Sequence, residues 1–182
     1  MKMLKPCLTL LSMALVGTLA GCSTTATKAP DVKDTIRQSL DSANLKDVSV
    51  SQDRDKGVVT LGGHVPVDAD KAQAESIAKS MAGPQVVANE IAVIPPGIES
   101  DAKKINSDLD KAIEKNLDAV LIQEGLQKNV KYDVKNGVVT LSGEVRSQGE
   151  RSRTQTVAST VPNVQQVVNE LQIKNQKASS TN

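Results

Sequence analysis

The stretch Lys56-Gly57-Val58-Val59-Thr60-Leu61-Gly62-Gly63-His64-Val65 occurs twice in this chain, the second time as Asn136-Gly137-Val138-Val139-Thr140-Leu141-Ser142-Gly143-Glu144-Val145. The two copies lie 80 residues apart. The same offset aligns Asn89-Glu90-Ile91 with Asn169-Glu170-Leu171, and it predicts a gapless correspondence from Val50/Val130 to Val93/Ile173. A fixed internal period of this length indicates a duplicated structural unit.

Each unit has a pattern that predicts the order helix, strand, strand, helix, strand. Val59, Leu61 and Val65 alternate along a strand that faces a core, after the turn-forming Asp55-Lys56-Gly57. Asp68 and, in the second unit, the Ser147/Glu150 pair have the positions of helix caps. We therefore predict an α+β fold of two tandem units, each with a three-stranded mixed sheet and two helices on one face.

Three further features refine this fold. The apolar positions from Ile105 to Leu121 hold the helical period for more than four turns, so the opening helix should be longer in the second unit. Gly63 and Gly143 lie in strand patterns, where glycine is typical of a bulge or a close backbone approach. Asn89 and Asn169 lie on otherwise apolar strand faces, and a buried asparagine needs hydrogen-bond partners.

The composition divides the chain into six segments. We predict a signal peptide at 1–21, a tether at 22–30, a first domain at 31–94, a linker at 95–99, a second domain at 100–174 and a disordered tail at 175–182. Pro95-Pro96-Gly97 makes the linker stiff and turn-forming, so the two domains should pack against each other.

Charge and aromatic content argue against nucleic acid as a partner. Removal of residues 1–21 takes away Lys2 and Lys5 and leaves 20 basic and 21 acidic side chains. This balance lacks the excess of positive charge that nucleic-acid-binding proteins usually carry. Tyr132 is the only aromatic residue, so bases have no stacking platform.

The titratable side chains offer no catalytic or metal-binding constellation. His64 is the only histidine, and its place in a strand pattern indicates a solvent-facing side chain. Cys7 belongs to the signal segment, which leaves Cys22 as the one remaining thiol. We therefore predict a protein that is no enzyme and uses no metal or cofactor.

The first residues have the features of a secretion signal. Lys2 and Lys5 precede an uncharged segment from Cys7 to Leu19. Its end, Leu19-Ala20-Gly21-Cys22, resembles the lipobox of bacterial lipoproteins. The resemblance implies cleavage before Cys22, a diacylglyceryl thioether on its sulfur and an acyl chain such as palmitate on its amine. With Ser rather than Asp at position 23, it also implies the outer membrane of a Gram-negative cell, facing the periplasm. The alternative is a non-lipidated signal peptide with a chance cysteine.

The repeated pattern is Gly-Val-Val-Thr-Leu-x-Gly-x-Val, a helix, and then Val-x-Asn-Glu-(Ile/Leu). It resembles the BON domain over both units, and the lipobox followed by two copies is similar to the dual-BON outer-membrane lipoproteins. The resemblance implies a phospholipid-interacting module without catalytic residues. In that family, the first helix of the second domain contacts anionic phospholipid.

The matching helix here covers about 101–124, where Lys104, Lys111 and Lys115 fall near one face because their spacings are seven and four residues. The helix lacks an aromatic anchor for the membrane interface and carries six acidic residues, so the alternative is an ordinary solvated helix of mixed charge. The charge of 31–95 is net −3 and that of 99–174 is zero, which favours the second domain for an anionic surface.

Two functions follow from this sequence. The first is an envelope lipoprotein that contacts anionic phospholipid through its BON domains and supports envelope integrity or stress tolerance. The alternative is a protein-binding or chaperone-like stress module that uses an exposed sheet face. That face would display residues such as Val58, Thr60, Val138 and Thr140.

Overall fold

The computed structural model describes residues 28–174 of the chain. The predicted signal peptide, Cys22 with most of its tether, and the predicted tail at 175–182 lie outside this range. The first unit contains α1 (Lys33–Ser42), β1 (Val48–Asp53), β2 (Val58–Val65), α2 (Asp68–Ala82), β3 (Val86–Asn89) and β4 (Ala92–Val93). The second contains α3 (Glu99–Gln123), β5 (Val130–Lys135), β6 (Val138–Val145), α4 (Gln148–Ser159), β7 (Gln166–Asn169) and β8 (Gln172–Ile173).

The two units share one sheet topology, which confirms the predicted fold class. In the first, β2 pairs antiparallel with β1 and parallel with both β3 and β4. In the second, β6 has the same relations to β5, β7 and β8. In each unit the two helices and the strands enclose a separate apolar core. The longer opening helix is also confirmed, because α3 has 25 residues and α1 has 10.

The third strand of each unit is divided in two, and an asparagine lies at the division. In the first unit, Asn89 accepts the N–H of Ile91 through Oδ1 (3.4 Å) and donates through Nδ2 to the Glu75 carboxylate (2.9 Å). In the second, Asn169 accepts from Leu171 (3.1 Å) and donates to the Gln155 side chain (3.0 Å). Each asparagine thereby ties the strand break to the helix above it, and for the buried Asn89 these bonds satisfy the amide.

The predicted gapless correspondence is wrong at its start. Val50 pairs with Leu61, whereas Val130 pairs with Gly143, the counterpart of Gly63. Four residues connect β1 to β2, but only Asn136 and Gly137 connect β5 to β6. The two residues have φ of 49° and 77°, which suits the tight two-residue hairpin turn that Asn-Gly favours. The offset between the units is therefore 82 residues in the first strand and 80 after the turn.

The two sheets pack on each other through the faces that carry no helices. Val58 and Ala88 of the first unit form one buried cluster with Val138 and Val168 of the second. Two ion pairs flank this cluster and have related positions in the two repeats. Lys56 Nζ lies 2.7 Å from the Glu170 carboxylate, and Lys135 Nζ lies 3.1 Å from that of Glu90. A lysine at or next to each hairpin turn thus contacts the glutamate that follows the third strand of the other unit.

The two strand glycines make the close backbone approach that their pattern predicts. Gly143 has φ of +114°, and a Cβ there would collide with the backbone oxygen of Asn129. That oxygen accepts the N–H of Glu144 at 3.2 Å, so it cannot move away without loss of a hydrogen bond. Gly63 has the same relation to the backbone oxygen of Asp47.

We expect Gly143→Ala to lower the free energy of unfolding by about 2–4 kcal/mol, because it combines a strained backbone with a steric overlap. Urea denaturation followed by circular dichroism measures this change. Gly97→Ala is the matched control: Gly97 also has positive φ, +91°, but its Cβ would meet nothing within 4 Å. The control should cost only about 1 kcal/mol. Equal losses in both variants would contradict a role for the close approach.

Candidate functional site

The long helix α3 contacts both units. In its second half, Ile113, Leu117 and Leu121 are buried in the core of the second unit. In its first half, Ala102 forms a buried cluster with Ala92 and Ile94, which belong to the first unit. The first half therefore extends beyond its own domain and lies against the end of the neighbouring one.

The start of α3 is fixed by the linker. Gly97 has φ of 91°, and its N–H donates to the Glu99 carboxylate at 2.8 Å. This hydrogen bond is the main reason why the pKa of Glu99 lies below its usual value. Glu99 and Asp101 also place negative charge in the first turn, where the helix dipole favours it.

The middle of α3 is held to the β5–β6 hairpin by one carboxylate. Asp110 accepts the backbone N–H of Asn136 at 2.8 Å and that of Gly137 at 2.9 Å. The side chain of Asn136 in turn donates to the backbone oxygen of Glu90 in the first unit, at 2.7 Å. A single hydrogen-bonded chain thus connects α3, the hairpin turn and the first domain.

The structure places the three predicted lysines together on the outer side of α3. Lys104, Lys111 and Lys115 are all exposed, on the side away from the buried residues Leu117 and Leu121. Lys111 lies 3.5 Å from Asp108, with both side chains more than 60% exposed, so this ion pair contributes little to stability. The lysines form one surface, which we call the lysine face; whether it binds anything stays a prediction.

Two apolar residues of the row that predicts the long helix do not reach the core of the second unit. Ile105 is 58% and Leu109 43% exposed, and Ile98 just before the helix is 48% exposed. Four residues advance an α-helix by about 400°, so a row taken every fourth residue rotates about 40° at each step. Four such steps separate Ile105 from Leu121, so the two cannot face the same core. This rotation is the signal in the sequence that identifies the exposed apolar flank.

The remaining predicted residues do not extend this surface. Tyr132 is half-buried under α3, and its hydroxyl lies 3.5 Å from the backbone oxygen of Glu114, so it cannot serve as an interfacial anchor. Burial, with the Asp118 carboxylate nearby, raises the pKa of this tyrosine. His64 is exposed on its strand.

The exposed sheet face that would support a protein-binding module is absent from the described residues. Val58 and Val138 are buried, and Thr60 and Thr140 are half-buried, because each sheet covers the face of the other. The prediction that this face is displayed is therefore wrong. Sequence periodicity shows that a face is apolar, but it does not show which element covers it.

Residues 28–174 lack the features of two other kinds of site. His, Cys, Asp and Glu side chains in this range form no group of three or more with the arrangement of a metal site. None of the helices between residues 28 and 174 has the length and apolar character that crossing a membrane requires.

Comparison with known protein families identifies the family to which this chain belongs. The BON domain family matches this chain at residues 28–95 and 105–175. These two segments make up most of the chain, which belongs to the BON domain family.

One curated relative and two solved structures add detail. Osmotically-inducible protein Y of Escherichia coli (strain K12) is 31% identical over 137 residues, which cover 74% of this chain and 67% of that protein. Two structures of CdsD, a structural protein of the type III secretion system of Chlamydia trachomatis, align with 14% identity and a TM-score of 0.32. The alignments cover 78% of this chain but only 66% and 63% of the CdsD chains. With so low a TM-score, these two structures carry no argument.

We expect Asp110→Ala to lower the free energy of unfolding by about 1–3 kcal/mol, because it removes the acceptor of two part-buried N–H groups. Asp108→Ala is the matched control on the same helix, and its exposed ion pair should change stability by less than about 1 kcal/mol. Chemical denaturation of both variants checks this difference. If the two variants lost equal stability, Asp110 would have no special part in fixing α3.

Proposed function

We propose that this BON protein is a non-enzymatic envelope lipoprotein, held to the outer membrane by lipidated Cys22, whose second domain makes a secondary contact with anionic phospholipid. The observation that carries the proposal is the lysine face, with Lys104, Lys111 and Lys115 exposed on one side of α3. The osmotic induction in the name of the E. coli relative supports a role in envelope integrity under stress.

The lysine face has two properties that favour a membrane surface. Each lysine close to an anionic leaflet contributes about 1 kcal/mol. Ile122, seven residues after Lys115 and therefore on the same side of α3, is 57% exposed and supplies apolar area on a helix that has no aromatic side chain. Exposed lysines together with an exposed isoleucine suit the interface between headgroups and acyl chains.

The tether and the lysine face lie at different ends of the first domain. Lys28, at the start of the described chain, pairs with Asp55 at 3.1 Å, in the turn before β2. The first half of α3 packs near Ala92, which pairs with His64 at the opposite end of β2. From Val58 to His64, β2 spans roughly 20 Å. A contact of both ends with one leaflet therefore orients β2 roughly along the membrane plane.

The tether has the length for this arrangement. Six peptide units separate Cys22 from Lys28. Cys22 can therefore lie at most about 22 Å from Lys28, where the described first domain begins. The acyl chains that the lipobox implies bind a bilayer far more strongly than a single chain would. In this proposal the anchor supplies the affinity, and the lysine face supplies the orientation.

We expect Cys22→Ala to abolish palmitate incorporation and to release the cleaved protein from membranes, or to leave an uncleaved precursor. Cys7→Ala, inside the predicted signal peptide, is the control and should leave both properties unchanged. Metabolic labelling and density-gradient fractionation of the envelope provide the measurements. A cleaved Cys22→Ala protein that stays on membranes through a high-salt wash would refute the anchor.

We expect substitution of Lys104, Lys111 and Lys115 by Gln to weaken binding to phosphatidylglycerol vesicles by up to about 100-fold, since three contributions of about 1 kcal/mol are lost. Flotation of a form that begins at Ser23 measures this without the anchor. A triple Gln variant of Lys33, Lys46 and Lys128, which are exposed elsewhere, removes the same charge and should bind nearly as the parent does. Equal binding to phosphatidylcholine vesicles would count against an anionic lipid.

A further inference from the structure

The third strand of the first unit has an edge that faces the second unit, and a side chain of the second unit covers part of it. The Gln166 side chain donates to the backbone oxygen of Val87 at 2.7 Å and accepts the N–H of Asn89 at 3.1 Å. Its carboxamide thus takes the place of a peptide group in a neighbouring strand. In the first repeat, the counterpart of Gln166 is Val86, whose side chain has no hydrogen-bonding atom.

The same edge continues along β4, beyond the reach of this carboxamide. The N–H groups of Glu90 and Ile94 point to backbone oxygens of β2. Because alternate residues of a strand point to opposite sides, Ile91 and Val93 direct their backbone groups away from β2. Among the described residues, no side chain makes equivalent hydrogen bonds to Val93. An extended peptide recognises such backbone groups by pairing with them as an added strand.

A cavity of about 400 Å³ lies at this part of the edge, between the two units. Ile91 and Val93 line it from the first unit, and Leu109 and Gln165 line it from the second. Its volume falls in the range of about 300–1,000 Å³ that is typical of small-molecule sites. Among residues 28–174, its lining includes none of the lysine face, so the cavity is separate from the proposed lipid contact.

Lys71 brings a positive charge into this cavity. It is half-buried, and its Nζ donates to the Gln165 side chain at 3.2 Å. No ion pair neutralises it among the described residues, since Glu75, one turn away, pairs with Lys79. Burial is the main reason why the pKa of Lys71 lies below its usual value. A partly desolvated ammonium group without a carboxylate partner favours a ligand that supplies one.

The cavity also has a negative side. Asp68 and Asp110 both line it. The Asp110 oxygens already accept the N–H groups of Asn136 and Gly137, whereas the Asp68 side chain is exposed. Two carboxylates oppose a multiply charged anion such as phosphate, and Asp68 favours a positive group on the ligand. With Lys71 present as well, the lining suits a molecule that carries both a carboxylate and an ammonium group.

The two charges lie toward opposite ends of the open edge. The backbone oxygen of Lys71 accepts from the Asn89 side chain at 3.4 Å, just before β4 begins. Asp68 begins α2, which follows Val65, and Val65 pairs with Val93 at the far end of β4. Two residues of a strand span about 7 Å. A free amino acid carries both charges on one carbon, whereas a dipeptide separates them by a peptide group.

We propose that the cavity binds a zwitterionic dipeptide, with its carboxylate at Lys71, its ammonium group at Asp68 and its peptide group paired with the edge of β4. Leu109 of α3, which is 43% exposed, then provides apolar contact for the side chains of the ligand. The site depends on both units, because the edge and the two charges belong to the first and the opposite wall belongs to the second.

The test is isothermal titration calorimetry of the full chain, expressed with its own signal segment and purified in detergent. We expect L-alanyl-L-alanine to bind saturably, at one site per chain. Its N-acetylated form and its C-terminally amidated form each lack one charge and should bind at least about tenfold more weakly. Free L-alanine should also bind at least about tenfold more weakly. Absence of saturable binding, or equal binding of the two blocked forms, would overturn the proposal.

Lys71→Gln removes the ammonium group but keeps a hydrogen-bonding side chain, and it should weaken dipeptide binding at least about tenfold. Lys79→Gln, on the same helix but outside the cavity, is the matched control and should leave the affinity unchanged within about twofold. Urea denaturation separates binding from folding: loss of a half-buried charge without an ion-pair partner should leave the stability unchanged or raise it.

A second variant decides the matter if Lys71→Gln disturbs folding. Leu109 lines the cavity and is not part of the second unit's core, so Leu109→Trp should fill the ligand's space without loss of the fold. We expect this variant to abolish dipeptide binding. An affinity unchanged by Leu109→Trp, or by a folded Lys71→Gln variant, would overturn the proposal.

Discussion

Val58, Ala88, Val138 and Val168 lie between the two sheets, and the arrangement of the whole molecule follows from their contact. Each sheet has helices on one face only, so its other face needs a cover, and each domain provides it for the other. The ion pairs of Lys56 with Glu170 and of Lys135 with Glu90 flank this contact. The Glu170 carboxylate, as the hydrogen-bond partner, raises the pKa of Lys56, so a rise in pH removes the lysine charge from this pair only under strongly alkaline conditions. The same packing places Gln166 on the edge of β3 and the first half of α3 against Ala92.

The lysine face arises because α3 is longer than the core beneath it. Only Ile113, Leu117 and Leu121 are needed to cover the second sheet, and Ala102 makes a small contact with the first domain. A helix that turns about 100° per residue cannot keep one row of side chains on one core over its full length. The surplus length therefore leaves lysines on one side and isoleucine and leucine on another. The long helix and its exposed amphipathic character have one and the same cause.

Sequence reasoning succeeded where a property is local. The hairpins, the strand glycines and the Ser147/Glu150 cap depend on residues close in the chain; in the cap, Ser147 Oγ accepts the Glu150 N–H at 3.2 Å. The common face of the three lysines follows from helix geometry alone. The burial of Val58 depends instead on which element lies opposite, and no period in the sequence reports that. The register of the first strand was missed because it depends on a turn that is two residues shorter in the second repeat.

The relation between Gln166 and Val86 has a consequence for how such a protein can change over generations. When two identical subunits meet across a twofold axis, one codon change alters both sides of the interface, so a residue that benefits one side and harms the other is hard to keep. Two repeats in a single chain remove that constraint, because each side has its own codon. Gln166 makes two hydrogen bonds to the edge of β3, and its counterpart Val86 makes no equivalent bonds with its side chain. Two repeats in one chain can thus have one sheet edge covered by a side chain that the other repeat does not match.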